Sequence, residues 1–185
     1  MAPFVSRAGQ KLEHALASFS VEATGRVCAD LGSNAGGFVD CLLARGAAKV
    51  YAIDTGYGVL DYRLRKDPRV VVMERTNAMH VALPERVDVV TIDVAWTKQR
   101  HILPPARRLL GDDGFVVTLI KPHYEADPSK LNKGVLPEAE VDAVVRAVTA
   151  DVAPAGFRLV RTVRSPIQGA KGNVEVLAEL RPTAA

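Results

Sequence analysis

The sequence predicts an α/β fold, a mostly parallel seven-stranded sheet covered by helices on both faces. Three observations carry this prediction. Short apolar runs alternate with helical patterns along most of the chain. The run Val27–Leu31 breaks into Gly32 and then Gly36-Gly37 ahead of a helical pattern, which reads as strand, tight loop and helix start. The last two apolar runs, Arg158–Arg164 and Val174–Leu180, follow each other with no helical pattern between them. Helix-separated strands pair in parallel, whereas a short helix-free connection favours an antiparallel neighbour.

The elements follow in order. Ser6 to Ser18 forms an opening helix ahead of the first strand, Val27–Leu31. A helix over Gly37–Arg45 leads to the strand Val50–Ile53, which ends in Asp54. Leu60–Lys66 is helical and Val70–Met73 is the third strand. Val87–Ile92 and Phe115–Ile120 are the fourth and fifth strands, with a helix over Arg100–Leu110 between them. Glu125–Leu136 is polar and carries Asp127-Pro128 and Lys133-Gly134, so it is expected to be a mobile loop. A long helix from Pro137 to about Ala153 opens with proline and two glutamates, residue types suited to a helix start. Ser165–Asn173 joins the final two strands, and Met1–Pro3 and Pro182–Ala185 are expected to be loose ends.

Composition narrows the class. The 185 residues suit one domain over 1–185, with an opening helix at 5–20 and a sheet core at 27–181. At 48% hydrophobic residues the chain can fill a core and is too apolar for disorder. No apolar run reaches membrane-spanning length and the N-terminus lacks a signal-peptide pattern, so no membrane partner is expected. Cys28 and Cys41 fall in regular elements and are expected to be buried and reduced, which points to the cytoplasm. His14, His80, His101 and His123 show no ligand spacing, so no metal is expected. A net charge of +3 is compatible with a polyanionic partner without demanding one.

A glycine loop followed by an acid at the tip of the next strand suits a nucleoside-containing cofactor. The glycines admit the ligand to the backbone, and Asp54 can accept hydrogen bonds from ribose hydroxyls. A dinucleotide pattern would want glycine where Asn34 stands, and no residues remain for a second, substrate-binding region. Parallel strands ending in an antiparallel partner fit instead a Rossmann-like S-adenosylmethionine-dependent methyltransferase fold.

Four charged residues are expected at the cofactor edge of the sheet. Asp93 follows the fourth strand, Lys121 follows the fifth, Glu175 begins the last, and Lys11 can reach them from the opening helix. Methyl transfer to a hydroxyl needs alignment, worth roughly 7–11 kcal/mol, and a more nucleophilic oxygen. A lysine near a second cation can orient or deprotonate that hydroxyl, with the two carboxylates holding the lysines. Each residue has a plainer reading. Asp93 can cap a helix, Lys121 can be a solvated strand end, Lys11 and Glu13 can be surface charges, Glu175 can be an edge-strand charge, and Asp54 can be a turn residue. Arg63, Arg65, Lys66 and Arg69 read as a solvated face or as phosphate contacts. Trp96 reads as core or pocket wall.

Several segments together resemble a known family. Ser6–Leu12, Asp30–Asp40, Leu60–Val70, Glu74–Asn77, Ile120–Pro122 and Ser165–Ile167 with Lys171–Glu175 occur in this order. They are similar to the TlyA group of the FtsJ-like ribosomal RNA 2′-O-methyltransferases, a group historically labelled haemolysins, from about residue 5 to 180. The resemblance implies a Lys-Asp-Lys-Glu catalytic set at Lys11, Asp93, Lys121 and Glu175. It implies that Gly32, Ser33, Gly36, Gly37 and Phe38 line the methionine part of S-adenosylmethionine, with Asp54 at the ribose and Asn77 near the adenine. Asp30, Asn34, Thr55 and Asp93 complete the expected cofactor shell, and S-adenosylhomocysteine would be the product.

The departures from the family bear on the acceptor. Its members carry a small RNA-binding module ahead of this domain. Here the chain begins at the Ser-Arg helix, so that module is expected to be absent and a helper protein is a candidate replacement. Val94-Ala-Trp-Thr-Lys98 stands where the family has Val-Ser-Phe, and Lys121-Pro-His-Tyr-Glu125 where it has Lys-Pro-Gln-Phe-Glu. The expected activity is ribosomal RNA 2′-O-methylation, with RNA phosphates held by Arg63, Arg65, Lys98 and Arg100. Two alternatives stay open, methylation of a small molecule and a non-catalytic, haemolysin-like binding role.

Overall fold

The structure is a computed structural model that describes residues 3–183. Its strands are β1 (Val27–Leu31), β2 (Lys49–Ile53), β3 (Val70–Met73), β4 (Val87–Ile92), β5 (Leu110–Ile120), β6 (Phe157–Arg164) and β7 (Val176–Pro182). They form one sheet in the order β3-β2-β1-β4-β5-β7-β6. β7 runs antiparallel to both β5 and β6, while the pairs from β3 across to β5 are parallel, as expected. The helices are α1 (Ala8–Phe19), α2 (Gly37–Ala44), α3 (Tyr62–Lys66), α4 (Gln99–Leu109), α5 (Pro122–Glu125) and α6 (Glu138–Thr149).

Alternating side chains of the sheet feed two apolar layers. Cys28, Val50, Val89, Val117 and Leu177 pack with α1, α2 and α3 on one face. Ala29, Ile53, Ile92, Val116 and Leu180 pack with α4 and α6 on the other. Burial on both faces explains why the strands read as near-continuous apolar runs. The order reverses between β1 and β4, the switch point where open α/β sheets form a crevice beyond the carboxyl ends of their strands. No helix among the described residues is long and apolar enough to cross a membrane, and Cys28 and Cys41 are both buried free thiols.

Three differences from the sequence reading have physical causes. β5 starts at Leu110 because Leu110 already pairs with Val87, with a register shift before Val89 meets Phe115. Glu125–Leu136 is not a featureless loop. It contains the end of α5, a 3-10 turn at Pro128–Lys130 and a bridge between Asn132 and Val135. Buried Asn173 holds it, accepting from Leu136 N at 3.0 Å and donating to Gly134 O at 3.0 Å. Finally, β7 runs through Pro182, shortening the expected loose end; positions 1, 2, 184 and 185 lie outside the described residues.

Two contacts place the site. The start of α2 lies against α1, where a Cβ on Gly37 would fall 2.3 Å from Ser6 Oγ and 2.8 Å from Gly9 N. Inside the sheet, Asp30 of β1 is fully buried and accepts a 2.7 Å bond from Thr91 Oγ1 of β4, leaving Oδ2 without a partner among the described residues. Burial is the main cause that pushes the Asp30 carboxyl up to about 8; the Thr91 bond opposes it, and the charges of Asp93 and Asp54 add to it.

Gly37→Ala should force α1 away from α2 and cost about 2 kcal/mol, roughly 4–8 °C in melting temperature. An unchanged melting curve would contradict this packing. Asp30→Asn should differ from the native chain in a pH-dependent way. The folded state keeps the Asp30 proton until about pH 8, whereas the unfolded chain releases it near 3.8. The native chain therefore loses stability relative to Asp30→Asn as pH rises between those values, by up to about 1.4 kcal/mol per pH unit. Denaturant titrations from pH 5 to 8 should show the gap widening in favour of the variant; a constant gap would contradict the buried, protonated carboxyl.

Candidate active site

A cavity of about 380 Å³ opens at the switch point. Its walls come from the loop after β1 (Gly32, Asn34), the loop after β2 (Asp54, Thr55), Asn77, and Asp93 with Trp96 after β4. The backbone explains the glycine at the first position. Gly32 has φ +90°, and a Cβ there would meet Asp93 O at 2.6 Å. Asn34 adopts a left-handed φ of 45°, and its N–H donates to Asp54 Oδ2 at 2.8 Å. Gly56 N donates to Asp54 Oδ1 at 2.7 Å. The Asp54 carboxylate is thus fixed by one backbone donor on each oxygen and keeps further lone pairs for a ligand.

A second cavity, of about 320 Å³, adjoins the first through Asp93, which lines both. The other three predicted charges, Lys11, Lys121 and Glu175, stand on its wall. Lys121 Nζ lies 2.7 Å from Asp93 Oδ1, and Lys11 Nζ lies 2.5 Å from Glu175 Oε2. All four side chains are largely buried, so each ammonium requires its carboxylate. Burial raises the Asp93 carboxyl above its ordinary range, opposed chiefly by Lys121 and then by Lys11, while Glu175 adds to the rise. The two ion pairs are therefore electrostatically one cluster.

Each member is placed by a different element. Lys11 is delivered by α1, which Gly37 and the 2.8 Å bond from Val5 N to Asp40 Oδ2 hold against α2. Lys121 directly follows β5 and is the N-cap position of α5, which begins at Pro122. Glu175 sits just ahead of β7, and its carbonyl accepts from Ser165 N at 2.9 Å across the hairpin from β6. Gly169 closes over Glu175 so tightly that a Cβ there would fall 2.1 Å from Oε1.

The predicted cofactor residues divide into two groups. Gly32, Asn34, Asp54, Thr55, Asn77 and Asp93 line the first cavity. Asp30, Ser33, Gly36, Gly37 and Phe38 stand outside its lining: Phe38 is in the core, and a Cβ on Gly36 would strike Leu64 at 2.3 Å. Trp96 is 81% exposed on the cavity wall, which removes the core reading. The four basic residues do not form one patch. Arg65 turns inward to Glu74 and to Leu60 O, and α3, which carries Arg63, packs on the opposite sheet face from α4, the helix that begins beside Lys98 and includes Arg100. The segment Lys121–Glu125, expected on the acceptor side, does bring His123 and Tyr124 into the lining of the second cavity; Thr76, Met79 and Arg7 were not singled out by sequence reasoning, although Thr76 and Arg7 lie inside motif segments.

An FtsJ-like methyltransferase family model matches residues 4–181. Hemolysin A of Brachyspira hyodysenteriae is 39% identical over 181 residues, covering 95% of this chain and 75% of that protein. The 16S/23S rRNA (cytidine-2′-O)-methyltransferase TlyA of Mycobacterium tuberculosis is 40% identical over 183 residues, covering 96% of this chain and 68% of that one. A solved hemolysin structure from Streptococcus thermophilus matches with a TM-score of 0.96 at 37% identity, over 100% of this chain and 69% of that chain. By its matched length, and by relatives with which it shares both sequence and fold, the chain belongs to the FtsJ-like methyltransferase family.

Proposed function

We propose that this methyltransferase transfers a methyl group from S-adenosylmethionine to a ribose 2′-hydroxyl of ribosomal RNA. The observation that carries the reading is the junction of two cavities at Asp93, one suited to a nucleoside and the other lined by two ammonium and two carboxylate groups. A relative with 40% identity is named for the same reaction on 16S and 23S rRNA. The chain spans 68–75% of the curated relatives described above, so RNA contacts made elsewhere, including by a helper protein, belong to the proposal.

The first cavity fits the donor. Asp54 offers its remaining lone pairs to ribose hydroxyls, Ile53, Val59, Ala78 and Ile102 offer an apolar bed for a purine, and Asn77 offers an amide at that bed. Asp30, Ser33, Gly36, Gly37 and Phe38 act from behind, shaping the loop that carries Gly32 and Asn34. When bound, S-adenosylmethionine supplies an electrophilic methyl group.

The protein's task is then to align and activate the acceptor oxygen. Lys121 Nζ donates to that oxygen and stabilises the charge that develops on it. Lys121 passes a proton to Asp93 Oδ1, 2.7 Å away, and takes up the hydroxyl proton in its place. The raised affinity of Asp93 for a proton lowers the cost of this relay. Lys11 and Glu175 hold the relay in register, and the proton leaves from the Lys121–Asp93 pair to solvent after release. Arg7, exposed on the rim of the second cavity, is the phosphate contact this geometry offers there, while Arg100 lines a separate depression with Lys98.

Lys121→Ala should lower methyl transfer to ribosomal RNA by about 10²–10⁴-fold while leaving the dissociation constant for S-adenosylmethionine within about threefold. Labelled donor incubated with ribosomal RNA and with a metabolite extract, followed by nuclease digestion, should place the label on a 2′-O-methyl nucleoside. Label appearing only in the metabolite fraction, or full activity in Lys121→Ala, would contradict the reading.

A further inference from the structure

We infer that His123 is an acceptor-positioning residue, whose imidazole Nε2–H donates to an oxygen of the ribose-phosphate beside the reacting hydroxyl. The inference rests on the proposed RNA reading and adds a contact outside the Lys-Asp-Lys-Glu cluster.

His123 is the second residue after Lys121 and lies in the short helix α5. It lines the second cavity together with Lys121, Tyr124 and the loop residues Gln168 and Gly169. Only 7% of the residue is accessible, and Nδ1 is sealed from solvent with no hydrogen-bond partner among the described residues. The ring is further fixed by Tyr124, whose centroid is 4.1 Å away at a tilt of 45°.

These facts select a tautomer. A buried, unpartnered N–H is a rarer and costlier fault than a buried lone pair. The proton therefore belongs on Nε2, and Nδ1 carries the lone pair. A doubly protonated ring would add an orphaned Nδ1–H close to the Lys121 ammonium. Burial first, and the Lys121 charge second, hold the His123 pKa below the ordinary histidine value, which agrees with a neutral ring.

A neutral donor on this wall has a defined use. Lys121 is committed to the reacting oxygen and to Asp93, and Lys11 to Glu175. Neither ammonium is free to fix the rotation of the sugar about that oxygen. A second donor in the same cavity lining as Lys121 can do so by binding a neighbouring sugar or phosphate oxygen. Because the ring is neutral, it adds no charge to the cluster and leaves the Lys121–Asp93 relay unperturbed.

The test compares His123→Leu, which keeps volume and removes the donor, with His123→Gln, whose amide nitrogen can occupy the place of imidazole Nε2. The readouts are kcat and KM for ribosomal RNA, the dissociation constant for S-adenosylmethionine, and the melting temperature. His123→Leu should raise KM for RNA about five- to tenfold, the worth of one hydrogen bond, with donor binding and melting temperature unchanged. His123→Gln should restore KM to within about twofold. Nitrogen-15 spectra of the labelled native protein should show the Nε2–H tautomer at pH 7.5. An Nδ1–H tautomer, a glutamine variant as impaired as leucine, or unchanged RNA kinetics in His123→Leu would overturn the inference. A native protein that methylates no RNA overturns instead the acceptor on which this contact is built.

Discussion

Two buried ion pairs, Lys121–Asp93 and Lys11–Glu175, are the constraint on which the rest of this molecule depends. Burying one unpaired ammonium or carboxylate costs several kcal/mol, so none of the four can be buried alone. Their mutual pairing makes the cluster electrically neutral while leaving two strong donors facing one cavity. Such an arrangement is a poor way to gain stability, since well-packed apolar residues would do as well or better. What sets these pairs apart from the buried Glu179, which Arg161 and Arg181 hold on the far strands of the sheet, is that all four groups line one cavity.

That constraint propagates outward into the fold. The four residues come from α1, β4, β5 and the lead into β7, elements that are distant in sequence. Their convergence needs β7 to run antiparallel, so that its start rather than its end reaches the cofactor edge. It needs α1 to lie close over the sheet, which the facing glycines, Gly9 and Gly37, permit. It also needs the segment Ser165–Asn173 to close over Glu175, and Asn173 ties that segment to the chain around Gly134 and Leu136. The first cavity meets the charged one at the switch point of the sheet, where Asp93 belongs to both.

Much of this was legible in the sequence because it is written in local patterns. Strand runs such as Val27–Leu31 and Val87–Ile92 are read directly from burial on both faces. The glycine loop after β1 and Asp54 after β2 mark the first cavity by spacing alone. Asp93, Lys121 and Glu175 were legible as strand-end positions and Lys11 as a charge on the opening helix, although the pairing of Lys11 with Glu175 was not, since it depends on where α1 lies over the sheet. Other features depend on tertiary contacts that leave no local trace. Gly36, Gly37 and Phe38 read as ligand contacts, yet their neighbours are Leu64, Ser6 and the core. Arg65 reads as a phosphate contact, but Glu74, nine residues on, takes its guanidinium. The order in Glu125–Leu136 is imposed by one distant asparagine, which no pattern within that segment announces.

If the four charged groups act as one unit, a double-mutant cycle across the two ion pairs will show it. Asp93→Asn and Glu175→Gln, made singly and together, would be compared by single-turnover methyl transfer to ribosomal RNA, with donor binding as the control for folding. A shared cluster predicts a coupling of about 1–3 kcal/mol, with the double variant losing far less than the product of the single losses. Single losses that multiply would show two independent ion pairs and contradict the account.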